Sequence, residues 1–354
     1  MTRINTLDGL RGLAIALVLA GHVAANLQPL SAPVRRWLVV FSNPGAGVRL
    51  FFVLSGYLIT GLLLRELRQT GTIGLAHFYG RRALRIFPAF YFFLIALAWW
   101  TQGGAPAITP THWLSAGAFA WNYAFFWVPT AGVWDLGHFW TLALEQQFYL
   151  VWPLALLGLG PRRGLWLAAA VVVWCPLARL ASYWLFPAQR GYLGAMAHTG
   201  LDSIMAGCAA ALVFENTAVR ARWAAWSARA ALAAAVWLFA LSPPAGELLR
   251  GFPLAAGYTL DALAAALLVV WARDAGATRL GALLGRGPLP ALGLVSYSLY
   301  LWQQVFLSPH RDLAAGRWLT PLTLAIGCAT ASYFLVERPF LRWKKNTAAV
   351  PAPA

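Results

Sequence analysis

The stretch "LDGLRGLAIALVLAGHV" at residues 7–23 is apolar enough to enter a lipid bilayer, yet it carries Asp8, Arg11 and His22. Arg11 and His22 are eleven residues apart. That is close to three helical turns, so a helix sets both on one face, about 16 Å apart at ~1.5 Å per residue. Asp8 lies one turn before Arg11 on nearly the same face. Ionisable side chains inside a membrane are costly and turn toward a bundle interior or a polar cavity. The stretch therefore reads as an uncleaved transmembrane helix with a polar stripe, one wall of a polar interior.

Composition extends this reading to the whole chain. Of 354 residues, 60% are apolar and 11% charged, against roughly a quarter charged in a soluble domain. The apolar residues come in long blocks, and about 20 in a row span a bilayer. The net charge of +16 does not point to nucleic acid, because the cations cluster between the apolar blocks, as on a cytoplasmic membrane face. Cys175, Cys208 and Cys328 are isolated in apolar runs, with neither a disulfide framework nor metal-ligand spacing. No metal is expected.

The expected fold is all-α, a polytopic transmembrane bundle of about ten helices. They fall near 7–27, 45–64, 84–102, 137–158, 164–186, 200–215, 229–242, 252–272, 289–308 and 317–337. With both termini in the cytoplasm, 18 Lys and Arg lie inside and 6 outside, the bias expected of this orientation. Residues 111–134, "THWLSAGAFAWNYAFFWVPTAGVW", are apolar and aromatic. A full span there would reverse the chain and place Arg162 and Arg163 outside, so the stretch reads as re-entrant or interfacial. Residues 1–343 form one transmembrane domain, and 344–354 are expected to be a disordered tail.

Further polar groups fall inside the expected helices. Arg49, Glu145, Asp202, Gln303 and Gln304 are read at an outer depth comparable to that of His22. Too many costly groups gather there for packing alone, so a membrane-embedded cavity is expected. "FYGRRALRIFP" (78–88) places Arg81, Arg82 and Arg85 at the cytoplasmic end of the third helix. Guanidinium groups suit phosphate. A phosphate-binding entrance inside and a histidine–carboxylate cavity further out suit a long anionic donor entering from the cytoplasm. Trp113, Trp121, Tyr123, Trp127, Trp134 and Trp140 suit either sugar stacking or an interface.

The blocks "TLDGLRGLAIALVLAGHV", "GAGVRLFFVLSGYLIT", "FYGRRALRIFPAF", "HFWTLALEQQFYLVWP", "LDSIMAGCAAAL", "LGLVSYSLYLWQQ" and "FLVERPF" run through residues 6 to about 343. Together they resemble the acyltransferase 3 family of membrane acyltransferases, which modify bacterial surface glycans. The resemblance implies a cytoplasmic acyl-CoA co-substrate, often acetyl-CoA. It also implies a saccharide or lipid-linked saccharide acceptor, and residence in the bacterial cytoplasmic membrane among its lipids. His22 looks like the family's catalytic histidine and Arg11 its helix-one arginine. Arg81, Arg82 and Arg85 resemble the motif that handles CoA. Glu145 matches an E-x-x-F-Y pattern with Phe148 and Tyr149. Asp8, Arg49, Tyr149, Asp202, Gln303 and Tyr297 are further cavity candidates. Two positions depart from the family. Gly200 replaces the arginine usually found before Asp202, which leaves that aspartate without its local cation. Gln303 follows Trp302 where histidine is common.

The expected function is O-acyl transfer. Neutral His22 acts as general base on an acceptor hydroxyl, with Glu145 orienting it or the acceptor. Arg49 or the glutamine pair donates to the oxyanion. The rivals are a transporter or flippase, which also buries charge, a non-catalytic scaffold, and acyl transfer to an amine or lipid acceptor.

Overall fold

Backbone groups stripped of water must pair within their own segment, and a helix does this for an apolar run. The computed structural model describes residues 4–28, 31–101, 108–130, 132–308, 313–314 and 319–347, and it is built almost wholly from helices. The first four are α1 (Asn5–Asn26), α2 (Ala32–Ser42), α3 (Pro44–Thr70) and α4 (Leu75–Thr101). Next come α5 (Pro110–Gly117), α6 (Phe139–Leu185), α7 (Ala197–Gly200), α8 (Asp202–Phe214) and α9 (Thr217–Val236). A π-helical turn, Trp237–Leu241, joins α9 to α10 (Ser242–Leu248), and a second, Pro253–Gly257, opens α11 (Tyr258–Asp274). α12 (Arg279–Gly285), α13 (Pro288–Phe306) and α14 (Leu319–Ser332) follow, with a third π turn leading into α15 (Arg338–Thr347). Among the described residues, extended pairing is limited to Leu27–Gln28 against Leu313–Ala314.

Seven of the described helical stretches are long and apolar enough to cross a membrane. With their lipid-facing surfaces, on which Trp99, Leu150, Trp166 and Trp184 are exposed, they make this a multi-pass membrane protein. The difference from ten has physical causes. Trp134–Leu185 counts as one stretch, but Gly160 stands at φ 71°, ψ 170° just before Pro161 and breaks α6 into the two spans expected there. α8 has 13 residues, about 20 Å, short of a hydrocarbon core of ~30 Å. α13 has 19 residues but carries Ser296, Ser298, Gln303 and Gln304 and is too polar to qualify by composition.

Other boundaries also moved. α2 was not expected, and it adds a short helix with Pro33 near its start where a loop was read. α4 starts at Leu75 rather than near 84, so Arg81, Arg82 and Arg85 lie within the helix, not at its end. Residues 111–134 form no spanning helix. α5 has eight residues and is followed by the 3-10 turns Trp121–Phe126 and Trp134–Leu136. Gln147 of α6 ties the segment down, donating to Phe119 O at 3.1 Å and Asn122 Oδ1 at 2.9 Å. The expected tail is helical to Thr347, and 348–354 lie outside the described residues.

The helices approach closely where side chains are absent. A Cβ on Gly9 or Gly12 of α1 would meet the carbonyl oxygen of Leu284 at 1.9 Å or Leu289 at 2.0 Å, and one on Gly293 of α13 would meet Asp8 O at 1.9 Å. α3 and α8 cross in the same way: a Cβ on Gly56 would lie 2.0 Å from Ile204 O, and one on Gly207 would lie 2.1 Å from Val53 O. Small residues at crossings are how helices associate within lipid, where no hydrophobic drive separates protein from solvent.

Gly207→Ala is therefore expected to cost about 1–3 kcal/mol through forced separation of α3 and α8. Gly327 of α14 has no atom within 4 Å of a built Cβ, so Gly327→Ala should be neutral or stabilising by up to ~1 kcal/mol. Thermal unfolding in one detergent compares the two.

Candidate active site

His22 sits in the last turns of α1, and its position is fixed from both sides. Its Nδ1 hydrogen-bonds the Gln303 side-chain oxygen of α13. One turn on, the Asn26 amide donates to His22 O at 2.8 Å and Leu307 O at 3.1 Å, which pins the end of α1 to the end of α13. The Trp134 ring meets the imidazole edge-on, 5.5 Å between centroids. A carbonyl acceptor at Nδ1 puts the proton there and leaves the lone pair on Nε2. Gln304 repeats the arrangement with a second histidine. Its side-chain oxygen accepts from His138 N at 3.1 Å and from His138 Nδ1 at 2.7 Å. His138 Nε2 is buried without a partner.

His22 and His138 open onto a cavity of about 540 Å3, shared with Arg49, Arg179, Asp202 and Tyr258. Gln303 is not on its wall. It stands behind the imidazole, so its place suits orienting His22 and not the oxyanion role expected of it. Of the expected aromatic residues, Trp121 and Trp140 line the cavity.

Asp202 does have a cation. Arg179 of α6, fully buried, donates to Asp202 Oδ2 at 2.9 Å, to Thr199 O at 2.7 Å and to Leu254 O at 2.9 Å. Thr259 completes the cluster, accepting from Arg179 at 2.7 Å and donating to Asp202 at 2.7 Å. The local cation that Gly200 does not supply is replaced by one from another helix. Position 200 has no room for a side chain, since a Cβ there would lie 2.1 Å from Gly194 O.

Glu145 is not beside His22. It lies seven residues after His138 on α6, about 10 Å along the axis, in a second and smaller cavity of about 90 Å3. There it accepts from Ser55 and, at 2.6 Å, from the Tyr149 hydroxyl. The expectation that it shares the depth of His22 is corrected, and of the two roles expected of it, orienting His22 or the acceptor, the first does not fit its bonds to Ser55 and Tyr149. Arg11, Arg82 and Arg85 converge on this same cavity. Arg11 pairs with Asp8 at 3.7 Å. Arg82 and Arg85 make no salt bridge among the described residues, and Arg82 Nε is buried without a partner. Arg81 points elsewhere, to Glu66 at 3.4 Å. Tyr297 lines the inner cavity and donates to Ile86 O at 3.1 Å.

Val48, Phe52 and Tyr300 belong to the walls of both cavities and form a waist between them. Tyr300 is held there by Thr141 at 2.7 Å. No group of three or more His, Cys, Asp or Glu suited to a metal occurs among the described residues. Sequence reasoning passed over Ser55, His138, Arg179 and Asp261. Arg179 was the most legible, because a lone arginine deep in an apolar helix requires a buried partner.

The Acyl_transf_3 family model, described as an acyltransferase domain, matches residues 4–336. Bacillus subtilis (strain 168) YrhL, whose name assigns it provisionally to peptidoglycan O-acetylation, is 26% identical over 95% of this chain and 54% of its own length. The O-acetyltransferase OatA of Staphylococcus aureus (strain NCTC 8325 / PS 47) is 34% identical over 42% of this chain and 24% of its own. The peptidoglycan O-acetyltransferase OatA of Listeria monocytogenes is 32% identical over 44% and 24%. No solved structure matches. The chain thus spans about half the length of YrhL, and the family match covers nearly all of this chain: it belongs to the acyltransferase 3 family.

Proposed function

We propose that this protein transfers an acyl group, acetyl in the first instance, from acyl-CoA to a hydroxyl of an extracytoplasmic saccharide in the bacterial cytoplasmic membrane. The observation that carries the reading is a histidine with a fixed tautomer in a 540 Å3 cavity, which shares a wall with a second cavity where three arginines converge. The relatives' names, which concern O-acetylation and in part peptidoglycan, support a saccharide acceptor. Both termini then face the cytoplasm, with the arginine cavity on that side.

The phosphates of the donor lie against Arg11, Arg82 and Arg85, whose guanidinium donors suit them. The donor's arm passes the waist formed by Val48, Phe52 and Tyr300. Its thioester reaches His22, about 16 Å from Arg11 along α1. His22 Nε2 takes the acceptor hydroxyl proton as the oxygen attacks the thioester carbonyl. The tetrahedral intermediate expels the CoA thiolate, which leaves as the thiol once protonated, and the acceptor keeps the acyl group as an ester. Gln303 holds the imidazole in register. Glu145, fixed by Ser55 and Tyr149, positions the donor arm and does not act as a base on the acceptor.

The test uses purified protein in nanodiscs with acetyl-CoA and an envelope glycan extract. His22→Ala should lower acceptor-dependent CoA release by about 10²–10⁴-fold, the worth of a positioned base, with unfolding temperature unchanged. Full activity in that variant overturns the mechanism, and glycan movement without CoA release favours transport. Arg82→Ala and Arg85→Ala should each raise KM for acetyl-CoA about 10-fold or more, from ~1.5–3 kcal/mol per charge-assisted hydrogen bond, with a smaller effect on kcat.

A further inference from the structure

Beside the outer cavity lies another, of about 290 Å3, between the α2–α3 corner and the α10–α11 corner. Pro44, Gly45, Arg49 and Tyr258 belong to the walls of both. Arg49 is the partition. Its guanidinium lies 4.4 Å from the Tyr258 ring centre and 3.6 Å from the Asp261 carboxylate. It packs against Gly45, where a Cβ would come within 2.6 Å of Nη1. An ion pair at that distance is beyond hydrogen-bond length, so a rotation of this one long side chain joins the two spaces.

The helices around the side cavity leave regular α geometry at the same place. Two of the three π turns, Trp237–Leu241 and Pro253–Gly257, are at this corner, and Asn43 at the start of α3 donates to Leu238 O at 2.6 Å within the first. Pro253 and Gly257 line the cavity itself. Single π turns gather at functional sites.

The surroundings of the opening identify what it admits. Its flanks are apolar and exposed: Val34, Trp37, Leu38 and Phe41 on α2, and Leu248 and Leu249 at the end of α10. At its edge a second depression, sharing Val39, Val40 and Glu247 with the side cavity, carries Arg35 and Arg36. Arg36 is bound to Glu247. Arg35 makes no hydrogen bond or ion pair among the described residues. Apolar flanks, a free guanidinium at the rim and a path to the histidine match three parts of one molecule: an apolar chain, a phosphate linkage and a glycan.

We propose that the acceptor enters from the side as a lipid-linked saccharide. Its chain stays in the bilayer along α2 and α10, its phosphate meets Arg35, and its glycan passes the Arg49–Tyr258 partition to reach His22. This rests on the acyl-transfer reading above and specifies the acceptor.

The experiment offers the full chain in nanodiscs one disaccharide in two forms, polyprenyl-diphosphate-linked in the bilayer and free in solution. The wild type should prefer the linked form by about tenfold or more in kcat/KM, of the order of one charge-assisted contact. Gly246 lines the opening, and a Cβ there meets only Pro253, at 3.6 Å. Gly246→Trp, as a plug, and Arg35→Glu should each lower the ratio of linked to free turnover by a similar factor. A ratio that neither variant moves overturns the side entrance, whatever the absolute rates. A photo-crosslinker at Val40 supplies a readout independent of turnover. It should capture the linked disaccharide, and less of it in Arg35→Glu. No capture, or capture of bulk anionic phospholipid alone, overturns the proposal. Capture without CoA release overturns the acyl-transfer reading and leaves the entrance standing.

Discussion

Helix α1 touches its neighbours backbone to backbone, and the positions of both cavities follow from that contact. Gly9 and Gly12 admit carbonyls from α12 and the start of α13, and Gly293 admits the carbonyl of Asp8 in return. On the other side, a Cβ on Gly47 of α3 would lie 2.5 Å from Ala14 O. A single rigid rod is thereby clamped between α13 and α3 along its length. Its inner end delivers Arg11 to the arginine cavity, and its outer end delivers His22 to Gln303. A side chain at any of these glycines would push the rod outward and move both groups together. Packing of this kind is what a bilayer permits, because lipid tails are as apolar as leucine and only close fit and polar pairing hold helices together.

Polar pairing then divides the two cavities by charge. On the outer wall each arginine has an aspartate, Arg179 with Asp202 and Arg49 with Asp261. Buried ions of one sign would be prohibitive there, and the pairs with their extra hydrogen bonds offset the desolvation cost. The inner wall is different. Three arginines face it, and Glu145 is the one carboxylate among the described residues on that wall, already accepting from Ser55 and Tyr149. In the proposed reaction, the near-neutral cavity suits the polyhydroxyl acceptor and the cationic one suits the polyanionic donor.

Much of this was legible in sequence where a local rule governed it. The stripe of Asp8, Arg11 and His22 needed only helical spacing, and the break between the halves of α6 needed only Gly160 followed by Pro161. Helix content and membrane class followed from apolar blocks. What sequence missed depends on how helices slide past one another. Glu145 was placed with His22 from its position along its own helix, which says nothing of the neighbouring helix it faces, and packing against α3 sets it beside Ser55. Arg81 and Arg85 share a helical face by spacing, but Glu66 draws Arg81 away and leaves Arg82 and Arg85 for the cavity. Arg179 and Asp202 are 23 residues apart and meet only because α6 and α8 pack together.

The waist brings these constraints together. Val48, Phe52 and Tyr300 come from α3 and α13 and form the wall shared by two spaces of about 540 and 90 Å3. Two of the three are apolar, and the third is an aromatic ring whose hydroxyl is committed to Thr141. Such a wall offers no site for a hydrated anion, so in the proposed reaction the phosphates stay with the arginines. In the proposed reaction the waist therefore acts as a ruler. It separates the charged end of the donor from the reacting carbon by the length of α1 between Arg11 and His22.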